Sequence, residues 1–319
     1  MMNPAQIRLN QSPILTNLLL GMGQGTYVAE QLFPRLPQAL SAITLAQLGD
    51  ERFKRYNLRR APGTATKRVD VSYQGKTYTI DQQSVEVPIP RELIRESDES
   101  RRLNVGNYLD ISRVAMVTAK DILDLDYEGD VATVATTSGT YAGGHVLALA
   151  GGTKWSASTG TPVTNIRDNA DVIRKKIGKR PNTLLLSADA AICLVTNAEV
   201  KTYLSANQMG PATMDQLKSI LNVSNIVVGD AILKDANGTG TDVWGNNAVL
   251  AYVPSMGGSG GDISLAEPAF GFTNVLEGHP FAETPYYENT NKSWVYGATY
   301  ERRANVAYNT AAFLFQNPK

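Results

Sequence analysis

The apolar positions of the chain keep two different periods, and each period marks out its own stretch. Between residues 165 and 252 the helical period leads: Ile166, Ala170, Ile173 and Ile177 stand four, three and four apart, on one face of a helix. Asn165, with Asp168 three residues on, suits its start, and Gly178 followed by Pro181 suits its stop. The run Thr183-Leu184-Leu185-Leu186 then predicts a buried strand, and Ser187 is placed to cap a helix over 188–195. Asn197 and Thr213 offer starts for two shorter helices, around 200–204 and 215–221, and apolar runs at 225–228 and 248–252 complete the unit. Helices alternating with apolar strands predict a mostly buried sheet covered by helices.

The longest helical pattern lies earlier. Val105, Leu109, Ser112, Met116, Ala119 and Leu123 recur at four, three, four, three and four, while Asp110, Arg113, Lys120, Asp121 and Asp124 take other faces. A helix from about 104 to 128 would span on the order of 35–40 Å, long enough to serve two layers as a spine. The strand period governs two other stretches. Val69, Val71 and Tyr73 alternate with polar residues, a second run follows at 76–80, and Gln74-Gly75 between them predicts a tight hairpin. Trp294, Tyr296, Ala298 and Tyr300 alternate within 293–315, which predicts long β structure paired with strands from the first half. The first fifty residues scatter Pro4, Pro13, Pro34 and Pro37 between apolar clusters and read as an extended arm with short helical pieces. Such an arm needs a surface, its own body or a neighbour. Residues 141–164, rich in Gly, Ser and Thr, read as a loop anchored by Trp155, and 235–242 and 257–262 as turn-rich loops.

Five words inside the central unit carry a likeness: Pro181-Asn-Thr-Leu-Leu-Leu-Ser187; Ala198-Glu-Val200; Val227-Val-Gly-Asp-Ala231; Val243-Trp-Gly-Asn-Asn-Ala-Val-Leu-Ala-Tyr252; and Pro268-Ala-Phe-Gly-Phe-Thr273. In this order and spacing the chain resembles tailed-bacteriophage major capsid proteins of the Hong Kong 97 type, with these words in the axial domain. The resemblance implies an α+β phage capsid fold. Its parts would be an N-terminal arm (1–50), an extended β-hairpin loop (51–90) and a peripheral domain with the spine helix (91–164). An inserted α/β axial domain (165–285) and C-terminal strands returning to the peripheral domain (286–319) would follow. In that family the arm and the long loop lie over neighbouring subunits. Arg55, Arg59, Arg60, Val69, Val71, Tyr73, Tyr78 and Ile80 are therefore the candidate intersubunit contacts, with the basic cluster meeting carboxylates of the neighbour.

Composition agrees with a folded shell subunit. The chain has 319 residues, 43% hydrophobic and 19% charged, enough for one large or two interleaved domains. Its 30 basic and 30 acidic residues balance, so no global field draws it to nucleic acid or an anionic membrane. The single Cys193, beside Ile192 and Leu194, reads as a small buried hydrophobe, and no disulfide framework is possible. The apolar patch at 14–20 is short of the ~20 residues a membrane span needs, and neither a basic leader nor a charged helical scaffolding run is expected at the N-terminus.

Signatures of chemistry are incomplete. Gly21-Met-Gly-Gln-Gly25 begins like a dinucleotide fingerprint, but Thr26 replaces the third glycine and Pro34 cuts the following helix. Gly257-Gly-Ser-Gly-Gly261 matches a nucleophile-elbow pattern with Glu267 and His279 downstream, yet no convincing helix follows to hold Ser259. The same loop holds one copy of a calcium β-roll word, and Asp235-Ala-Asn237-Gly238 places its glycine too early for an EF-hand. His145 and His279, the only histidines, lack Cys or His partners for zinc. No catalytic, cofactor or metal site is expected. The expected function is a major capsid protein packing as pentamers and hexamers into an icosahedral head around DNA, without sequence-specific DNA contact. It would be a virion component assembled in the host cytoplasm, with separate scaffolding, portal and decoration proteins as further partners and no membrane. The alternatives are an encapsulin-like compartment and, from another class, an α/β hydrolase or dehydrogenase.

Overall fold

The computed structural model describes residues 12–21, 27–48, 50–70, 72–103, 110–204, 210–254 and 268–319. Strands are numbered along the chain and fall, among the described residues, into four sheets. The largest is organised on β14 (Ser293–Val306). One edge of β14 pairs antiparallel with β4 (Asp81–Pro90), from Ser293 opposite Pro90 to Arg302 opposite Asp81. The other takes β13 (Tyr286–Glu288), β12 (Phe281–Ala282) and β11 (Gly271–Leu276) in turn, and β1 (Arg35–Gln38) joins β11 in parallel.

The second sheet is built from β5 (Val146–Ala148), β6 (Thr183–Ser187), β7 (Asn225–Gly229), β10 (Asn247–Ala251) and β15 (Ala312–Gln316), in the order β5-β15-β10-β6-β7. All five residues of β6 are buried, as expected of a strand covered on both faces. The covering helices follow the sequence pattern closely. Ile166, Ala170, Ile173 and Ile177 are all buried on the helix Pro162–Ile177, which ends at Gly178 in the left-handed region (φ 74°). It starts three residues before Asn165 because Pro162 fits the first turn, where its missing N–H costs nothing. Ser187 caps the helix Ala188–Thr196 by accepting from the Ala190 N–H, and Asn197 caps Ala198–Thr202 through the Glu199 N–H. Thr213 and Gln216 form a reciprocal capping box at the head of Met214–Leu221. Cys193 is buried in this core, which burial reflects by raising its thiol pKa. Trp155 is buried too, its ring 5.4 Å from that of Phe315.

The long helix runs Ile111–Thr136, about 39 Å, with Asp110 capping it through the Arg113 N–H. It starts and ends later than the spacing predicts, passing through Gly129; Val105 and Leu109 lie outside the described residues. Ala115, Met116, Ala119 and Leu123 pack with β4 and β14 in one core. Tyr127, Val131, Ala132 and Ala135 belong to the core of the five-stranded sheet. One helix therefore serves both layers. The arm helix Pro13–Gly21 lies on its own chain, with Leu19 fully buried and the Thr16 hydroxyl bonded to the backbone of Ala282.

Two expectations are corrected. Gln74-Gly75 is no turn: it lies within β3 (Tyr73–Thr79), which pairs antiparallel with β2 (Ala42–Leu48) over seven residue pairs. The predicted strand at 67–73 is irregular up to residue 70. A seven-residue ladder satisfies more backbone groups than a hairpin folded on two residues, and β2 supplies it from 31 residues upstream. The C-terminal stretch divides as well. β14 joins the larger sheet, whereas β15 pairs with β10 and β5 in the five-stranded one. Along β14, Tyr296, Ala298 and Tyr300 are buried as one face, but Trp294 at its start is exposed.

Candidate assembly surface

The ladder of β2 and β3 is the neck of a ribbon that runs from Ala42 to Thr79. Its base is fastened to the end of β14: Arg303 donates to the Thr79 hydroxyl at 2.9 Å, and Lys76 donates to the Val306 carbonyl. Beyond the ladder, the Ser72 hydroxyl donates to Glu51 at 2.8 Å and closes the two legs. The tip is a turn at Ala61-Pro62-Gly63-Thr64. Thr64 N–H donates to the Ala61 carbonyl at 3.2 Å, and Gly63 supplies the positive φ of 82° that proline at the preceding position commonly leads into. Between residues 53 and 70 only Tyr56 is partly covered; all the rest are exposed.

Of the candidate contacts, Arg55, Arg59, Arg60 and Val69 lie on this exposed loop, with Leu58 at 74% exposure beside them. Tyr73 opens β3 opposite Leu48. Tyr78 is buried within its own chain, with the Lys76 ammonium 5.8 Å from its ring centre, and Ile80 is half-buried. These two hold the ribbon's base rather than its tip. Val71 lies outside the described residues. The loop from 50 to 70 carries seven basic residues against three acidic ones, a local excess that the balanced whole conceals. Phe53 turns back to pack on Gly178, where any Cβ would collide with its ring.

Two buried polar joints fix the body from which the ribbon extends. The Glu128 carboxylate, fully buried on the long helix, accepts from the N–H groups of Val28 and Ala29 (3.0 and 2.8 Å) and from the Trp244 indole (2.6 Å). It ties arm, long helix and five-stranded layer at one point. Burial raises its pKa; its hydrogen bonds oppose the shift without cancelling it. Trp244 can reach Glu128 because Gly229 leaves room for its ring. Arg302 on β14 is likewise fully buried. It donates to Asp126 and Asp130 at 2.7 Å each, with its guanidinium 4.9 Å from the Tyr127 ring and 5.2 Å from the Tyr300 ring. Sequence reading missed both joints, because partners 116 and 176 residues away leave no local spacing to find.

The chemical signatures do not converge. Most of Gly21–Gly25, and all of Ser259 and Glu267, lie outside the described residues. His279 is packed against Phe281, accepts the Glu301 N–H at 3.2 Å, and is held below its ordinary pKa by burial. His145 is buried with Nδ1 2.9 Å from the Ala312 carbonyl. Asp235 spends its carboxylate on its own loop, accepting from the N–H groups of Asn237 and Thr239. Among the described residues there is no group of three His, Cys, Asp or Glu side chains suited to a metal, and no helix long and apolar enough to cross a membrane.

Comparison with known proteins adds a relative. The major capsid protein of Burkholderia phage BcepMu is 33% identical over 273 residues, covering 85% of each chain. A phage-related protein from Bordetella bronchiseptica RB50, solved by crystallography, superposes with a TM-score of 0.75 at 31% identity, covering 97% of both chains. At 12% identity, the capsid structure of cyanophage P-SCSP1u shares the fold, with a TM-score of 0.57 over 93% of this chain and 89% of its own. An encapsulin complex from Synechococcus elongatus shares it at 13% identity and a TM-score of 0.54, over 99% and 95%. No family model matches the chain.

Proposed function

The chain belongs to the phage major capsid proteins, and from that premise we propose that its copies assemble as pentamers and hexamers into an icosahedral, Hong Kong 97-type head around the DNA genome. The five-stranded layer would be the axial part, near the centre of each capsomer, and the six-stranded layer with the long helix the peripheral part. The ribbon carries this reading. Residues 54–70 have no core of their own, and an isolated two-stranded ribbon is marginal in water unless a third surface supports it. A neighbouring copy supplies that surface, with Arg55, Arg59, Arg60, Leu58 and Val69 as the contacting side chains.

The shell encloses DNA without reading its sequence, consistent with a net formal charge of zero. Assembly takes place in the host cytoplasm, with scaffolding, portal and decoration proteins as separate chains. The role proposed for the subunit is structural rather than catalytic, as its phage capsid relative supports, and its two histidines each bond to backbone. A fluorophosphonate probe is therefore expected to leave Ser259 unlabelled in the folded protein, and labelling there would contradict this part of the reading. An encapsulin-like compartment is supported by fold alone, at 13% identity, whereas the phage relative stands at 33%. Nucleic acid inside particles purified from infected or induced cells is the expected content; enzyme cargo in its place would favour the compartment.

A further inference from the structure

The five-stranded sheet presents two unlike features at its two ends. β6 and β7 run parallel, so the residues that precede them and those that follow them lie at opposite ends of the sheet. Where the two strands begin, Arg180, Pro181, Leu221 and Asn222 line an open cleft of about 590 Å³ together with Arg167 and Asp171. Its floor is apolar, since Pro181, Leu221 and Ala170 are buried, and Arg167 and Arg180 stand exposed on its rim. Where β7 ends, Asp230 and Ala231 lead into a small hairpin of β8 (Ile232–Lys234) and β9 (Gly240–Asp242). Every residue from 232 to 242 is exposed, including Ile232 at 48% and Leu233 at 43%.

The two features differ in charge as well as in shape. From 167 to 180 there are six basic residues against two acidic ones, and from 230 to 242 three acidic against one basic. Asp171 is already served by Arg174 and Lys175, which hold its carboxyl down to about 2, Arg174 foremost, with Arg180 3.7 Å away. Asp168 also lines the cleft, so the cationic excess is that of the helix segment around it. At the other end, Lys319 is paired with Asp189 at 2.7 Å and lies near enough to Asp242 to feel its charge, while along the hairpin itself three carboxylates stand against one lysine.

We infer that the β8–β9 hairpin of one copy seats in the Arg167–Arg180 cleft of a second copy, head to tail, around each ring of subunits. The inference rests on the shell reading above and names two mating surfaces for it. A patch and a pocket on different parts of one molecule make a heterologous contact, and such a contact generates a ring when its rotation closes. Ile232 and Leu233 would cover the apolar floor, while the hairpin's carboxylates meet Arg167 and Arg180. Charge pairs of this kind set register and choice of partner as well as affinity. With the hairpin and the cleft at opposite ends of the same sheet, one subunit can give and receive at once.

The test uses the full chain with Arg180→Glu, Asp242→Lys, both together, and Ile232→Ser with Leu233→Ser as an uncharged variant. All four positions concern exposed side chains, and thermal melting confirms that each subunit folds. The fraction of protein in rings and shells is read by sedimentation and electron microscopy at one concentration. Each single charge reversal and the Ser variant is expected to lower that fraction by about tenfold or more, and the paired reversal to restore it. Reversals that assemble like the wild type, or a pair no better than its singles, would overturn the contact while wild-type particles leave the shell reading standing. Loss of retained DNA in Arg180→Glu particles formed at full yield would assign the cleft to nucleic acid and also overturn it. A wild-type chain that forms no particles removes both readings.

Discussion

Glu128 shows how much one side chain can carry. Its two oxygens receive two backbone N–H groups of the arm and the indole of Trp244, so its removal leaves three donors buried without partners. At about 1–3 kcal/mol for each unsatisfied group, Glu128→Ala is expected to cost roughly 3 kcal/mol or more and to lower the melting temperature by several degrees. The pH dependence has a definite sign. Burial raises the folded pKa above the ordinary 4.5, so the group's contribution is greatest below that value and declines as pH rises through the raised one. The melting gap between wild type and Glu128→Ala should accordingly be wider near pH 5 than near pH 7.5; a gap that widens towards neutral pH would contradict the account. Arg302 makes the companion joint, with its partners half-exposed. Arg302→Ala is expected to cost about 3 kcal/mol, at the lower end of what a broken buried pair loses, because water can still reach Asp126 and Asp130. Equal stability of this variant in denaturant titrations would show that the clamp is not structural.

Among the elements, the helices that cover the five-stranded sheet were legible in the sequence, whereas the helix Arg91–Arg102 and the ribbon were not. Ile166, Ala170, Ile173 and Ile177 announce a helix because every partner needed for its backbone lies within four residues, and Ser187, Asn197 and Thr213 announce caps for the same reason. A strand announces only its own alternation. Tyr73–Thr79 gave no sign that its partner was Ala42–Leu48, and Gln74-Gly75 offered a nearer, wrong answer. The basic residues of the loop were found by type alone, while Leu58 and the turn at Pro62-Gly63 acquire meaning only once the two legs are seen together. The corrected ribbon sharpens the experiment on it. Replacing residues 54–70 by a short Gly/Ser linker spares both the β2–β3 ladder and the Arg303 and Lys76 ties at the base. A soluble subunit that melts cooperatively but forms no shells is expected. Loss of the melting transition would place the loop in the subunit's own core, and intact shells would remove it from the assembly surface.

At the scale of the whole molecule, rigidity and reach are divided between different parts of the chain. The long helix joins both cores, Glu128 and Arg302 lock it to the arm, the five-stranded layer and β14, and the ribbon leaves that body with an excess of positive charge. Balanced charge overall removes a bulk repulsion between many copies, and complementary patches orient each copy against the next. Contacts between neighbours should then reach the obligate class, above about 2,000 Å². The most direct measurement is electron microscopy of the expressed full-length chain, paired with sedimentation across a wide range of concentration and ionic strength, with and without a scaffolding protein. Closed particles, or the rings that build them, are the predicted result. A monodisperse monomer under every one of those conditions would contradict the claim that this chain is built to form a shell.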